Sequence, residues 1–131
     1  MDLSTLIDDI YSSLSPLEIG EDLNLSDAAI EEFGEKVKDS IRSWSSPHKQ
    51  TSGLRMSNIG RPARQLWFES RSEEKKTFSA PTLIKFLYGH ILEELVVLLV
   101  KLSGHSITDQ QKEVVVDDIV GHIDCKIDGE V

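Results

Sequence analysis

Gly89-His90-Ile91-Leu92-Glu93-Glu94, taken with Gly121-His122-Ile123-Asp124, is the reading on which the fold of this 131-residue chain turns. Both stretches set carboxylates inside segments that otherwise look like core. Leu83, Ile84, Phe86, Leu87, Ile91, Leu92, Leu95, Val96, Leu98, Leu99 and Leu102 cover almost the whole circumference of one helix, which is therefore expected to be buried on most sides. Ser79-Ala80-Pro81 announces that helix and Ser103-Gly104 stops it. Downstream, Ile119, Gly121, Ile123, Cys125 and Ile127 alternate with Val120, His122, Asp124 and Lys126, the period of a strand. A buried acid without a partner is costly, so a partner is implied for Glu93 and Asp124, and a divalent cation fits that role. Gly89 shares a helix face with Glu93, as His90 does with Glu94. Gly89 and Gly121 thus read as clearance for close backbone approach between the helix and the strand carrying the second acid.

Between those two stretches, residues 107–116 read as a strand ending in Val114-Val115-Val116 and turning at Asp117-Asp118. Asp128-Gly129 is a strong hairpin signal, so Glu130 and Val131 should begin a return strand, and the chain reads as the N-terminal part of a longer sequence. Toward the start, Leu3, Leu6, Ile7, Ile10, Tyr11 and Leu14 recur at helical spacing, with Pro16 as a stop. Ser26 caps a second helix whose Ile30, Phe33, Val37, Ile41 and Trp44 form a core stripe, ended by Ser45-Ser46-Pro47. Residues 47–53 read as an exposed loop and 71–77 as a charged connector, with His48 and His105 at the surface.

The chain carries a net charge of −9, which by itself argues against a nucleic-acid partner. The charge is unevenly spread, however: residues 1–35 hold ten acids and no Lys or Arg, whereas residues 36–76 hold ten Lys or Arg against four acids. A local basic patch can track phosphates on an acidic protein. Arg55, Arg61 and Arg64 gather around a helix start near Ser57 or Pro62, where free backbone N–H groups also favour an anion. An ordinary solvated basic face explains them about as well, and the interleaved Trp67 and Phe68 tip the balance toward a single-strand or duplex-end contact. The single Cys125 excludes an internal disulfide and a cysteine-cluster metal site. No secretion signal is legible, and the longest apolar run, residues 95–100, is too short to span a bilayer, so a soluble intracellular protein is expected. There is no phosphate-cradling glycine loop and no nucleophile elbow.

Gly89-x-x-x-Glu93 on a long apolar helix, then Gly104-His105, Gln110-Gln111, a Val-rich strand and Gly121-His122-Ile123-Asp124, resembles the nuclease core of the PD-(D/E)XK superfamily. The likeness is to RecB-type and lambda-exonuclease-like phage exonucleases, and it covers residues 54–131. Ser57-x-x-Gly60-x-x-x-Arg64-x-x-Trp67 is similar to the segment preceding the core in RecB-like members. The resemblance implies an α/β fold with a restriction-endonuclease-like core, helices packed on a central mixed β-sheet, and a helical N-terminal region with linker at 1–53. It implies a magnesium- or manganese-dependent deoxyribonuclease, with Glu93 and Asp124 as metal ligands and catalytic acids. Some relatives carry an iron–sulfur cluster on cysteines that this chain lacks, so none is implied. The implied partner is DNA, with no membrane; a homo-oligomer stays open, and the location is the cytoplasm, that of the host cell if phage-encoded. The family's third motif, an acid-x-Lys, should fall shortly after Asp128-Gly129 and is not in these 131 residues.

Several alternatives stand beside this reading. Glu94 exchanges with Glu93 if the helix turns by one residue. His90, Glu94, His122 and Lys126 are candidates for groups that support the ligands. Asp124-Cys125-Lys126 is itself an acid-x-Lys, with Asp117 then serving as the earlier Asp, and ranks second because Asp117-Asp118 looks like turn chemistry. In function, the competitors are a nuclease-like module that binds DNA without cutting it, and an acidic helical interaction protein.

Overall fold

The computed structural model describes residues 3–46, 55–71 and 77–131; the 47–53 loop with His48, and all of the charged connector except Arg71 and Thr77, lie outside them. A 3-10 turn (Leu3–Thr5) leads into α1 (Leu6–Glu18), then come α2 (Asp27–Ser45), a second 3-10 turn (Met56–Asn58), α3 (Ala63–Arg71) and α4 (Ala80–Leu102). Four short strands follow: β1 (Ile107–Thr108), β2 (Lys112–Val116), β3 (Ile119–Ile123) and β4 (Lys126–Ile127). The class is mixed α/β, with two small antiparallel sheets.

Pro16 does not stop α1, which runs on to Glu18. A proline at this position withholds the N–H that the Ser12 carbonyl would accept, and the Ser15 hydroxyl donates to that carbonyl instead at 2.8 Å. In α2 the Ser26 hydroxyl accepts the Ala29 N–H at 3.2 Å, as its N-cap character predicts. α2 lies antiparallel on α4. Near one end the Trp44 indole N–H donates to the Leu83 carbonyl at 2.7 Å, and near the other Lys101 Nζ meets Glu32 Oε1 at 2.6 Å. The apolar stripe of α2 is narrower than expected. Phe33, Val37 and Trp44 are half-buried, while Ile30 and Ile41, which at 100° per residue sit roughly 60–80° round the helix from Phe33, are exposed.

α4 also departs from expectation. Of its apolar residues only Val97 and Val100 are buried, while Ile84, Tyr88, Leu92, Leu95 and Val96 form an exposed face. α2 covers one side of the helix, and α1 and β1 meet it elsewhere; among the described residues nothing else covers the face from Ile84 to Val96, which stays open to solvent. No helix among the described residues is long and apolar enough to cross a membrane.

The C-terminus of α4 closes as the sequence predicts. Gly104 takes φ 88°, its N–H donates to the Lys101 carbonyl at 3.1 Å, and the His105 N–H donates to Val100 at 3.2 Å, the paired bonds of a Schellman motif. The motif turns His105 inward, so the expectation of a surface residue is wrong: its side chain is fully buried. Nδ1 lies 2.6 Å from Asp128 Oδ2 and Nε2 lies 3.0 Å from Asp9 Oδ2. Because carboxylates only accept, the imidazolium form satisfies both nitrogens. The hydrogen bond to Asp128, followed by that to Asp9, raises the His105 pKa. Asp128 is held down to about 2, first by the Ser106 backbone N–H at 2.8 Å and then by His105. Asp9 is lowered by the Thr5 hydroxyl and then by His105. This clasp ties α1, the end of α4 and the Asp128-Gly129 turn to one another.

The two long strands expected over 107–116 and 119–127 are each broken. Ile107 pairs with Ile127 and Thr108 with Lys126; beyond the break, Lys112 to Val116 pair with Ile123 back to Ile119. Residues 109–111 therefore face only residues 124–125, a bulge in which Asp109 and Gln111 take φ of 53° and 50°. The Asp117-Asp118 turn, with φ of 49° and 63°, has the left-handed pair that a two-residue hairpin needs. Arg55 bridges Val120 in parallel on the far edge of β3, so pairing around β3 is mixed. Just beyond that bridge, a Cβ at Gly121 would collide with Met56 Sδ and lie 2.8 Å from its Cγ. Gly121 thus makes room for a side chain, and Gly89 for nothing, since no atom lies within 4 Å of a Cβ placed there. Both glycines are corrections to the expected backbone clearance. The outer edge of β2 has no strand partner among the described residues, and Val115 and Val116 on it are exposed.

Candidate functional site

The bulge is what links the helix acid to the strand segment that carries the other. Gln111, in its left-handed conformation, donates its backbone N–H to the Asp124 carbonyl at 3.0 Å and its side-chain Nε2–H to Glu93 Oε1 at 2.6 Å. One residue thereby ties the helix acid to the strand that carries the other. A non-glycine residue at positive φ needs surrounding contacts to hold it, and these two bonds supply them. Both carboxylates also act on the Cys125 thiol: burial first, then Asp124, then Glu93 push its pKa up, so it stays a neutral thiol. The premise of deep burial does not hold, however. Glu93 is half-buried with an amide partner, and Asp124 is exposed, its carboxylate making no hydrogen bond or ion pair among the described residues.

The other expected groups disperse. Glu94 faces α2, lining a shallow groove with Phe33, Val97 and Leu98, so Glu93 is the acid that reaches the hairpin. His90 is exposed, with no hydrogen bond to Glu94. His122 is exposed on β3, with Nε2 3.8 Å from Glu113 Oε2 across the strand pair. Lys126 Nζ is held by Asp109 Oδ2 at 3.0 Å, and Lys112 Nζ takes the other oxygen at 3.1 Å. These two lysines lower the Asp109 pKa. Asp117 sits in the hairpin turn, beyond the end of β2.

On the basic segment, Arg61 Nη1 lies 3.3 Å from Glu69 Oε2, and Arg55 is exposed at the bridge to Val120. Arg64 lies 5.8 Å from the Phe68 ring centroid and Arg71 4.4 Å from that of Trp67. Sequence reasoning assigned no role to Gln111, Asp109 or Arg71. Gln110-Gln111 between two β-prone runs was the legible sign of the first; nothing in the local sequence marks Asp109 as the anchor of two lysines.

Among the described residues no three His, Cys, Asp or Glu side chains converge on one point. Two carboxylates suffice for a hard cation such as magnesium, which keeps several waters and takes its remaining ligands from substrate phosphates. Glu93 and Asp124 are of the residue type such a donor set takes, and both lie close enough to act on Cys125. The chain matches no family model, no curated protein and no solved structure.

Proposed function

We propose that this chain carries the first two acids of a magnesium- or manganese-dependent phosphodiesterase centre acting on DNA, built on a restriction-endonuclease-like core and working as an exonuclease. The observation that carries the reading is the double tie of Gln111, which links Glu93 on α4 to the Asp124 backbone across 31 positions of sequence. When bound, the cation supplies Lewis-acid polarisation of the phosphate and a more acidic water. Glu93 and Asp124 would hold it. Gln111 fixes the Glu93 carboxylate through one oxygen and leaves the other for a ligand. Cys125, kept as a neutral thiol, adds no charge beside the two acids. The agreement with that core is at the level of the α/β class: among the described residues the strands form two two-stranded antiparallel sheets and not the expected central mixed sheet.

The test is digestion of end-labelled linear duplex DNA with magnesium, compared with EDTA. Loss of label in magnesium that disappears in both Asp124→Asn and Glu93→Gln supports the proposal; digestion unchanged in both variants removes it. A second reading, DNA binding without cleavage, is favoured by one observation. Lys126, the lysine of the acid-x-Lys that begins at Asp124, is occupied by Asp109, and no third acid joins the pair among the described residues. Salt-sensitive duplex binding with no cleavage is its signature.

A further inference from the structure

Trp67 and Phe68 are neighbours on α3, so their side chains leave the helix about 100° apart and cannot share one buried face. Leu66 is the apolar residue that α3 turns inward; Trp67 is 50% exposed and Phe68 55%. The two rings meet edge to face, with centroids 5.0 Å apart and planes at 88°. Each also carries a cation, Arg71 over the indole and Arg64 near the phenyl ring. Neither arginine has an ion-pair partner among the described residues, whereas Arg61 is taken up by Glu69. The helix thus presents two aromatic surfaces at right angles, each with a guanidinium beside it that has no ion-pair partner among the described residues.

We infer that this face of α3 is a stacking surface for unpaired bases of single-stranded DNA, with Trp67 and Phe68 receiving bases and Arg64 and Arg71 receiving the adjoining phosphates. A guanidinium lying on a ring has its apolar faces occupied and its N–H edges directed outward, where phosphate oxygens can accept from them. A base has two π-faces and a phosphate on either side, so it matches ring and cation together; a paired duplex offers the phosphates and hides the faces. Charge points the same way: α3 lies within the one basic third of an otherwise acidic chain, which selects a polyanion over an acidic or neutral protein surface. In choosing DNA the inference rests on the function proposed above, but it does not depend on the metal centre, which contributes no residue to α3.

The experiment is fluorescence anisotropy of a labelled oligothymidylate, and of a blunt duplex of the same length, titrated with the full chain in EDTA and low salt. Expected are tighter binding of the single strand, a loss of roughly tenfold for Trp67→Ala and for Phe68→Ala, and near-full retention for Trp67→Phe, which still stacks. Arg71→Gln should flatten the dependence of log affinity on log salt by about 0.7, the release expected for one single-strand phosphate. Equal affinity for both DNA forms, or Trp67→Ala binding normally, overturns the inference while leaving cleavage untouched. So does a self-associated chain that becomes monomeric in Trp67→Ala, because the face would then be a protein contact. Single-strand binding by a chain that never cleaves sinks the nuclease reading alone.

Discussion

The hairpin that follows α4 has two tethering points with opposite characters. At its open end, the Asp9–His105–Asp128 clasp is centred on a buried imidazole and saturated: both imidazole nitrogens face carboxylates, and Asp128 takes further bonds from Ser106. At the bulge, Glu93 and Asp124 stand half-buried and exposed, joined through a single Gln111 and with acceptor capacity left over. Saturated polar networks hold a fold together; acids left with spare lone pairs near solvent are available to bind something. By that criterion the most deeply buried and most strongly bonded polar residue, His105, is structural, and the functional candidates are the acids that the fold leaves unfinished.

Breaking the clasp should give the largest effect. His105→Leu sets two carboxylates facing an apolar side chain, and it should lower the melting temperature more than a change at Gln111, Gly121 or Gly89 does. In the native chain the raised His105 pKa contributes stability fully present below the ordinary 6.5 and lost as pH rises through the raised value. Asp128 contributes stability present above 3.8 and lost as pH falls toward about 2. Melts across this range should show a maximum between those limits, and His105→Leu should erase the alkaline decline. Next, Gln111→Leu should leave the melting temperature nearly unchanged while lowering magnesium-dependent cleavage roughly 10- to 100-fold, as loss of a group orienting a metal ligand does. An equal fall in stability would make Gln111 a second clasp and collapse the contrast. Gly121→Ala, between the two ends, should destabilise by about 1–3 kcal/mol through collision with Met56, and Met56→Ala in the same chain should restore most of it. The smallest effect belongs to Gly89→Ala, which meets open space in a helix interior and should stabilise by about 0.5–1 kcal/mol in denaturant titration. A destabilised Gly89→Ala would restore the close approach that the sequence suggested there.

Where local rules govern, the sequence was readable: the Ser26 cap, the Schellman end at Gly104, the Asp117-Asp118 turn and the existence of α4 all follow from residue type and period. The failures share one cause, that a partner outside the local pattern decides. Pro16 is accommodated because a neighbouring hydroxyl happens to satisfy the carbonyl it orphans. His105 is buried because Asp9 arrives from the other end of the chain. The strands break at a one-residue bulge that leaves no trace in an alternating pattern, and Asp109, inside the segment that reads as a strand, serves as anchor for two lysines. Of the candidate site, apolar settings singled out Glu93 and Asp124, but the burial those settings implied is absent, since Glu93 is half-buried and Asp124 exposed. That Glu94 would turn to α2 depends on helix rotation, which periodicity cannot fix when every face is apolar.

The unpaired outer edge of β2 bears on how the protein behaves in solution. Val114-Val115-Val116, on a strand edge without a partner among the described residues, is a template for edge-to-edge pairing between copies. Lys112 and Glu113 before it, and Asp117 and Asp118 after it, act as charged gatekeepers whose mutual repulsion between molecules keeps such edges apart. That protection is weakest near the isoelectric point, about 4.8, which falls inside the pH interval where the clasp is fully formed. Folding stability and colloidal stability should therefore peak at different pH values, the conditions that best preserve the fold being those in which repulsion between copies is weakest.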